Sequence, residues 1–298
     1  MMNETIRHFT YYAKRMFKFH DLKVQYVPQA LFVLLLLVSF GFRLIVQPWL
    51  IDMSIYQQQW TIAYIEGWKV NDASNPAAFY ELILRISSSE AYMKFTAELL
   101  KVSGIFILQQ ALLLILLFFY MSAYLVDLET KTPSASQYFA KFFKAFPRYI
   151  GFNVLYYLLV FIIFMVLSVF LSYMIMFLPI ASGILPVAWF FIQVFFIFKD
   201  IPLLDTRIGI FRNFRLAWKL SAGNRVMIGI NTFFIESTAM MFFLLPIVKI
   251  LQESRQITPT LFIVSFFEVI VLMIQQRLIT LMYMDRTRIA RKEEPGVD

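Results

Sequence analysis

Long apolar runs alternate with polar, basic segments along the whole chain. A run of about 18 or more apolar residues is long enough to cross a hydrocarbon core of about 30 Å as a helix. The pattern therefore predicts an all-α polytopic membrane protein with one membrane domain at residues 29–284. The six predicted spans cover residues 29–50, 102–126, 149–178, 186–198, 226–248 and 260–284.

The polar segments predict how the spans are connected. Residues 1–28 mix basic and aromatic side chains, which is typical of a helix lying in the membrane interface. Residues 51–101 form the one sizeable hydrophilic connection, and we expect two or three short amphipathic helices there, lying on the outer surface. The stretch LPIASGILP, with two prolines and Gly183, predicts a turn between spans three and four. Residues 285–298 form a charged tail.

Short sequence motifs predict where helices begin within residues 51–101. Asn75-Pro76 predicts a helix start, followed by apolar residues at i, i+3, i+4 and i+7. Ser87 and Glu90 are three residues apart and fit a capping box. A lid or partner-binding cap is one interpretation of this connection, and a simple connector is the other.

Basic residues are distributed unequally between the two predicted sides of the membrane. Residues 1–28, 127–148, 199–225 and 277–298 carry 20 Lys and Arg, against six in 51–101 and 249–259. Cytoplasmic segments of membrane proteins are enriched in Lys and Arg. The count predicts that both termini are cytoplasmic and that 51–101 is extracytoplasmic.

A basic aromatic segment precedes spans one, three and five. IGFN at 150–153 also matches IGIN at 228–231. The pattern fits a duplicated transporter, and it equally fits three inward-starting hairpins that each need basic aromatic anchors. Candidate contacts for lipid or a partner in these segments are Lys141, Lys144, Arg212, Arg215, Trp218 and Lys219.

Composition narrows the chemistry. The chain is 60% hydrophobic and 15% charged, where soluble proteins carry about 25% charged residues. It has no cysteine, and its two histidines match no metal-ligand spacing, so we expect no metal and no cofactor. The net charge of +8 is explained by residues flanking spans rather than by nucleic-acid binding. Enzyme motifs such as a Walker loop or GxSxG are absent, which favours a non-enzymatic role.

Three ionisable residues, Arg43, Glu236 and Glu268, lie deep inside predicted spans. Each costs at least about 2.5–3.5 kcal/mol unless it is paired or meets water, and is therefore a candidate functional residue. Arg43 and Glu268 have similar predicted depths, so we expect them to pair. No basic residue is predicted at the same membrane depth as Glu236. Glu236 is therefore the leading candidate for a solute or proton site. Other polar residues within spans that line an interior, or join helices, are Asn153, Gln193, Asn231, Gln275, Gln109, Gln110 and Gln276.

The stretch 199–230 carries a recognisable layout. It contains Lys199-Asp200-Ile201-Pro202, then the Ala217–Ser221 segment AWKLS, then Gly223-Asn224-Arg225. This resembles a signature of bacterial six-helix membrane families related to the membrane domain of glycerophosphodiester phosphodiesterases. The resemblance implies a bacterial inner-membrane protein, in families usually of unassigned role. The phosphodiesterase catalytic domain has no counterpart here, so that activity is not implied.

Two functions remain open from the sequence. The first is a transporter or permease-like component for a lipid or small solute, which the polar residues within spans favour. The alternative is a scaffold or accessory subunit that binds another membrane protein or anionic lipid through its basic aromatic segments. In both, the lipid bilayer of the bacterial cytoplasmic membrane is the expected environment.

Overall fold

A computed structural model describes residues 5–70, 76–173, 178–205, 208–239 and 257–287 of the chain. The described residues contain helices and no β-strand, which confirms the all-α prediction. The helices are α1 (Phe9–Met16), α2 (Tyr26–Val70), α3 (Pro76–Ser87), α4 (Glu90–Glu129), α5 (Ala135–Tyr173), α6 (Leu178–Phe195), α7 (Ile201–Asp205), α8 (Ile210–Ser221), α9 (Arg225–Ala239) and α10 (Ile257–Thr287).

Four of these helices are long and apolar enough to cross a membrane, by length and composition. They are α2, α4, α5 and α10, which contain predicted spans one, two, three and six. α6 is a shorter apolar helix, and the second half of predicted span five lies outside the described residues. The coarse prediction of a helical membrane protein therefore agrees with the structure.

The helices pack as one bundle. α2 lies along α4 and α10 contacts both, so these three helices form the centre. α5 packs on α4, and α9 is placed between α6 and α10. Fully buried side chains at the centre include Leu35, Tyr120 and Met273. A shared interior therefore lies among the four long helices, α6 and α9.

The connection at 51–101 differs from the prediction of several short surface helices. α2 continues to Val70 and α4 begins at Glu90, so only α3 is a separate short helix. At 1.5 Å per residue, the 45 residues of α2 extend about 68 Å, more than twice a hydrocarbon core. α2 stays helical because its polar half packs on α4. The Trp60 ring, for example, contacts those of Tyr92 and Phe95, with ring centroids 6.0 Å apart in both pairs.

The local signals in this connection are partly correct. α3 begins at Pro76 as predicted, while Asn75 lies outside the described residues. The predicted capping box at Ser87 is wrong, because Ser89 is the N-cap of α4 and accepts a hydrogen bond from the Tyr92 amide. Ser87 instead donates its hydroxyl to the Leu84 carbonyl of its own helix.

Two other predicted boundaries are shifted. The basic aromatic segment before span three is continuous with that span, since α5 runs from Ala135 through Pro147. The predicted turn at LPIASGILP is wrong, because Leu178–Phe195 is one helix that includes Pro186. Proline is tolerated within membrane helices when neighbouring groups satisfy the freed carbonyl.

The connection between α6 and α9 is packed into the bundle. Phe198, Ile201 and Leu203 are fully buried, so α7 is an internal element rather than a surface loop. The Asn213 side chain of α8 donates to the Lys199 carbonyl at 2.6 Å. Gly223 turns the chain towards α9 with φ of +82°, a conformation that favours glycine.

Candidate functional site: a polar cavity inside the bundle

A cavity of about 180 Å³ lies among α4, α5, α6, α9 and α10. A water molecule needs about 10–15 Å³ of such volume, so the cavity has room for several waters or one small solute. Its lining combines carboxylates, amides, one ammonium group and aromatic rings. The polar lining residues are Glu236, Gln193, Gln275, Gln276, Lys199, Asp200, Thr232, Tyr156, Tyr157 and Trp189.

Helix periodicity brings these side chains to one place. Thr232 and Glu236 are four residues apart on α9, as are Trp189 and Gln193 on α6. Residues separated by four positions share a helix face, which here is the face towards the bundle interior. Three residues predicted from the sequence, Glu236, Gln193 and Gln275, therefore line the same cavity.

Glu236 is the least compensated carboxylate of the cavity. Its Oε1 accepts one long hydrogen bond, from Gln275 Nε2 at 3.4 Å. Among the described residues, no basic side chain forms an ion pair with it. A half-buried carboxylate without a cation inside a membrane bundle needs a proton, water or a polar ligand. Glu236 is thus available to bind what enters the cavity.

A second polar cluster lies at the end of α6. Lys199 Nζ donates to both Asp200 oxygens, at 2.8 and 2.9 Å, and to Asn153 Oδ1 at 2.6 Å. The Asn153 amide returns a hydrogen bond to Asp200 Oδ1 at 3.1 Å. Lys199 also lies over the rings of Tyr156 and Tyr157, 5.1 and 5.6 Å from their centroids. Asn153, a predicted site residue, thus contacts the cavity through Lys199 and Asp200.

The charges define what the cavity can bind. Lys199 and Asp200 compensate each other, which leaves Glu236 to set the net charge. With Glu236 ionised, the lining carries one net negative charge and favours a cation. With Glu236 protonated, the lining is neutral and offers amide, hydroxyl and carboxyl groups for hydrogen bonding.

Arg43 and Glu268 form the predicted pair at a separate place. Arg43 Nη2 lies 3.0 Å from Glu268 Oε2, which also accepts the Ser39 hydroxyl. Gln109 donates to the Ser39 carbonyl at 3.4 Å, so the network joins α2, α4 and α10. These contacts assign the pair to helix packing.

Asn231 does not line the cavity and instead joins helices, the other role that the sequence left open for it. It is fully buried and donates to the Arg7 carbonyl at 3.1 Å and to Met282 Sδ at 3.6 Å. Asn224 Oδ1 likewise accepts the Ile6 amide at 2.7 Å. These asparagines hold the N-terminal segment against α9 and α10, because each satisfies a backbone group of that segment.

Tyr12 adds a further contact between α1 and α10. Its hydroxyl donates to Asp285 Oδ2 at 2.8 Å. Burial and the neighbouring Asp285 carboxylate raise the pKa of Tyr12 well above its usual value, so the phenol keeps the proton it donates. α1 is therefore docked on the bundle and its apolar residues Tyr12 and Met16 are buried.

The basic aromatic candidates lie mostly on the surface. Arg212, Arg215 and Lys219 are exposed on α8, with Trp218 42% exposed beside them. On α5, Lys144 is exposed, whereas Lys141 pairs with Glu129 at 2.6 Å. The three repeated segments differ in structure: α1 and α8 are separate helices, and the third is the start of α5.

Sequence reasoning missed Lys199 and Asp200 as lining residues of the cavity. It assigned them to a cytoplasmic connection because they follow a span. The available signal was the apolar residues on both sides, FIF before and IPLL after, which indicate burial. In the described part of the chain, no group of three or more His, Cys, Asp or Glu side chains is placed to hold a metal ion.

No protein-family model, curated protein or solved structure matches this chain. The resemblance of residues 199–230 to the membrane domain related to glycerophosphodiester phosphodiesterases stays a prediction. The candidate site therefore rests on the geometry of this chain.

Proposed function

We propose that this chain is a non-enzymatic transporter or permease-like component for a small solute or lipid. We further propose six spans in the bacterial cytoplasmic membrane, with both termini in the cytoplasm. Four long apolar helices support the membrane location, and the excess of Lys and Arg on one predicted side supports the orientation. The resemblance of residues 199–230 agrees with this environment.

The polar cavity is the observation that carries the proposal. A purely structural subunit needs a packed interior, whereas a transporter needs a polar space between its helices. Here a carboxylate without a cation, three glutamines and a Lys–Asp pair share one space within the bundle. Ionisable residues within membrane proteins commonly mark solute or ion pathways.

The lining residues suggest distinct roles. Glu236 binds the solute or carries the proton that moves with it. Gln193, Gln275 and Gln276 supply amide donors and acceptors that orient the solute. Lys199, fixed by Asp200 and Asn153, closes the end of the cavity near α7.

The test replaces Glu236 by glutamine, which keeps the shape of the side chain and removes its charge. The full chain and its Glu236→Gln variant are reconstituted in vesicles. Uptake of a panel of labelled amines, amino acids and phosphorylated solutes is measured, together with movement of fluorescent phospholipids between leaflets. We expect Glu236→Gln to lower the active flux at least about tenfold, a change of about 1.4 kcal/mol. Glu268→Gln is the matched control and should retain the flux, because Glu268 lies outside the cavity. Full flux in Glu236→Gln would remove Glu236 from the mechanism.

A second candidate function is an accessory subunit that binds another membrane protein. The exposed face of α8 supports it, with Phe211 80% exposed beside Arg212, Arg215 and Lys219. If the chain is an accessory subunit, Glu236→Gln leaves its function in the cell unchanged. Replacing Arg212, Arg215 and Lys219 by uncharged residues then releases a protein that co-purifies with the chain.

A further inference from the structure

A second cavity lies on the outer side of the bundle, between α6 and α9. It is an apolar groove of about 330 Å³, within the range of about 300–1,000 Å³ that ligand pockets occupy. Its walls include Phe190, Val194, Ile230 and Phe233, and Arg225 lies at one end. The groove shares no lining residue with the Glu236 cavity.

The groove is open towards the surroundings of the bundle. The lining residues Phe191, Ile230 and Phe233 are 52%, 49% and 61% exposed. From Arg225 to Phe233, the eight helical rises of α9 extend about 12 Å along the helix axis. This surface therefore offers an open apolar groove along α9.

Gly229 keeps the groove deep. A Cβ atom at this position would lie 3.7 Å from both Phe190 and Val194, which is ordinary van der Waals contact. An alanine therefore fits without displacing its neighbours, whereas a larger side chain would occupy the groove. This difference provides a matched pair of substitutions.

Arg225 gives the groove a polar end of defined charge. Its guanidinium carbon lies 4.1 Å from the Trp218 ring centroid and 4.4 Å from that of Phe195. Of the described residues, none pairs with it through a carboxylate or accepts a hydrogen bond from its buried Nε. Contact with the two rings restrains the guanidinium group, and its planar N–H fork matches a phosphate group.

The position of Arg225 adds positive potential at this end of the groove. It is the first residue of α9, and the N-terminus of a helix carries a partial positive charge that favours anions. A ligand with both an apolar chain and a net negative phosphate headgroup complements this arrangement.

We propose that the groove between α6 and α9 binds an anionic phospholipid. One acyl chain lies between the phenylalanine side chains and Gly229, and Arg225 hydrogen-bonds the headgroup phosphate. The site does not depend on the transport function proposed for the Glu236 cavity. Its role is to hold a lipid of defined charge against the two helices.

The test measures lipid binding by the purified full chain. The protein is titrated in detergent micelles with phosphatidylglycerol or phosphatidylcholine of identical acyl chains, and bound lipid is counted by native mass spectrometry. We expect tighter binding of phosphatidylglycerol. Arg225→Gln should weaken that binding about tenfold, since hydrogen bonds to charged groups are strong. Lys219→Gln removes the same charge from a neighbouring exposed position and should change it less than about twofold.

The acyl-chain part of the proposal has its own pair of variants. Gly229→Leu should abolish the specifically bound lipid, whereas Gly229→Ala should retain it. Glycerol phosphate, which has the headgroup chemistry without the chains, should not compete. Equal effects of Arg225→Gln and Lys219→Gln would overturn the headgroup assignment. Lipid retention in Gly229→Leu, or a second copy of the chain crosslinked at Ile230, would overturn the assignment of a lipid to the groove.

Discussion

Glu236 and Glu268 were both predicted to lie inside membrane spans, but the structure gives them different surroundings. Glu268 receives the Arg43 guanidinium at 3.0 Å and the Ser39 hydroxyl. Glu236 receives a single amide at 3.4 Å. A carboxylate with a cation and a hydroxyl is satisfied by the protein itself, whereas Glu236 retains capacity for another ligand. This difference assigns packing to one residue and candidate chemistry to the other.

The Arg43–Glu268 pair makes a specific stability prediction. Replacing either residue by alanine leaves an unpaired charge, so each single variant should lose about 1–3 kcal/mol of unfolding free energy. The double variant should lose less than the sum of the two. A double-mutant cycle measured by denaturant unfolding in mixed micelles checks this, and additive losses would show that the pair contributes no coupling.

Predictions about single residues were correct where the depth of a side chain in the membrane was enough to identify its partner. Arg43 and Glu268 were paired correctly because two opposite charges at one depth in lipid have a strong reason to meet. The role of Asn231 stayed open between lining an interior and joining helices, because its partners, Arg7 and Met282, come from distant parts of the chain. Lys199 was missed because a residue next to a span looks like part of a connection until the packing of α7 is known.

At the scale of elements, polar composition was a poor guide to helix ends. Residues 51–101 were expected to form two or three short surface helices, but residues 51–70 extend α2 and residues 90–101 belong to α4. Two helices that pack on each other can continue beyond the bilayer, since their contact faces remain buried while their other faces meet water. The N-terminal segment forms a separate helix as expected, and α1 is in addition docked on α10 through the hydrogen bond from Tyr12 to Asp285.

The contact of α3 with α2 depends on a glycine. A Cβ at Gly67 would overlap the Leu82 side chain, whereas a Cβ at Gly41 of the same helix would meet nothing within 4 Å. We expect Gly67→Leu to displace α3 and increase hydrogen exchange of its amides about tenfold, as overpacking costs about 1–3 kcal/mol. Gly41→Leu is the control. Unchanged protection of α3 in Gly67→Leu would show that Leu82 repacks without cost.

At the scale of the whole molecule, the proposed orientation makes α2 and α4 project outwards from the membrane. The chain contains no cysteine, so single cysteines report position without background. An impermeant maleimide should label Ser54→Cys in intact bacterial cells, and Ser136→Cys only after permeabilisation. Both residues are exposed, so access depends on the side of the membrane. The reverse labelling would invert the proposed topology.

The central claim is that water and solute reach a polar cavity at Glu236, and cysteine modification at its lining tests this most directly. Gln193→Cys and Gln275→Cys are treated in membranes with a small charged methanethiosulfonate, which reacts with the hydrated thiolate. Ser265→Cys, fully buried on α10, is the matched control. The account predicts that both cavity positions are modified and that Ser265→Cys is not. Protection of both cavity positions, at the level of Ser265→Cys, would show a packed interior and contradict the transport proposal.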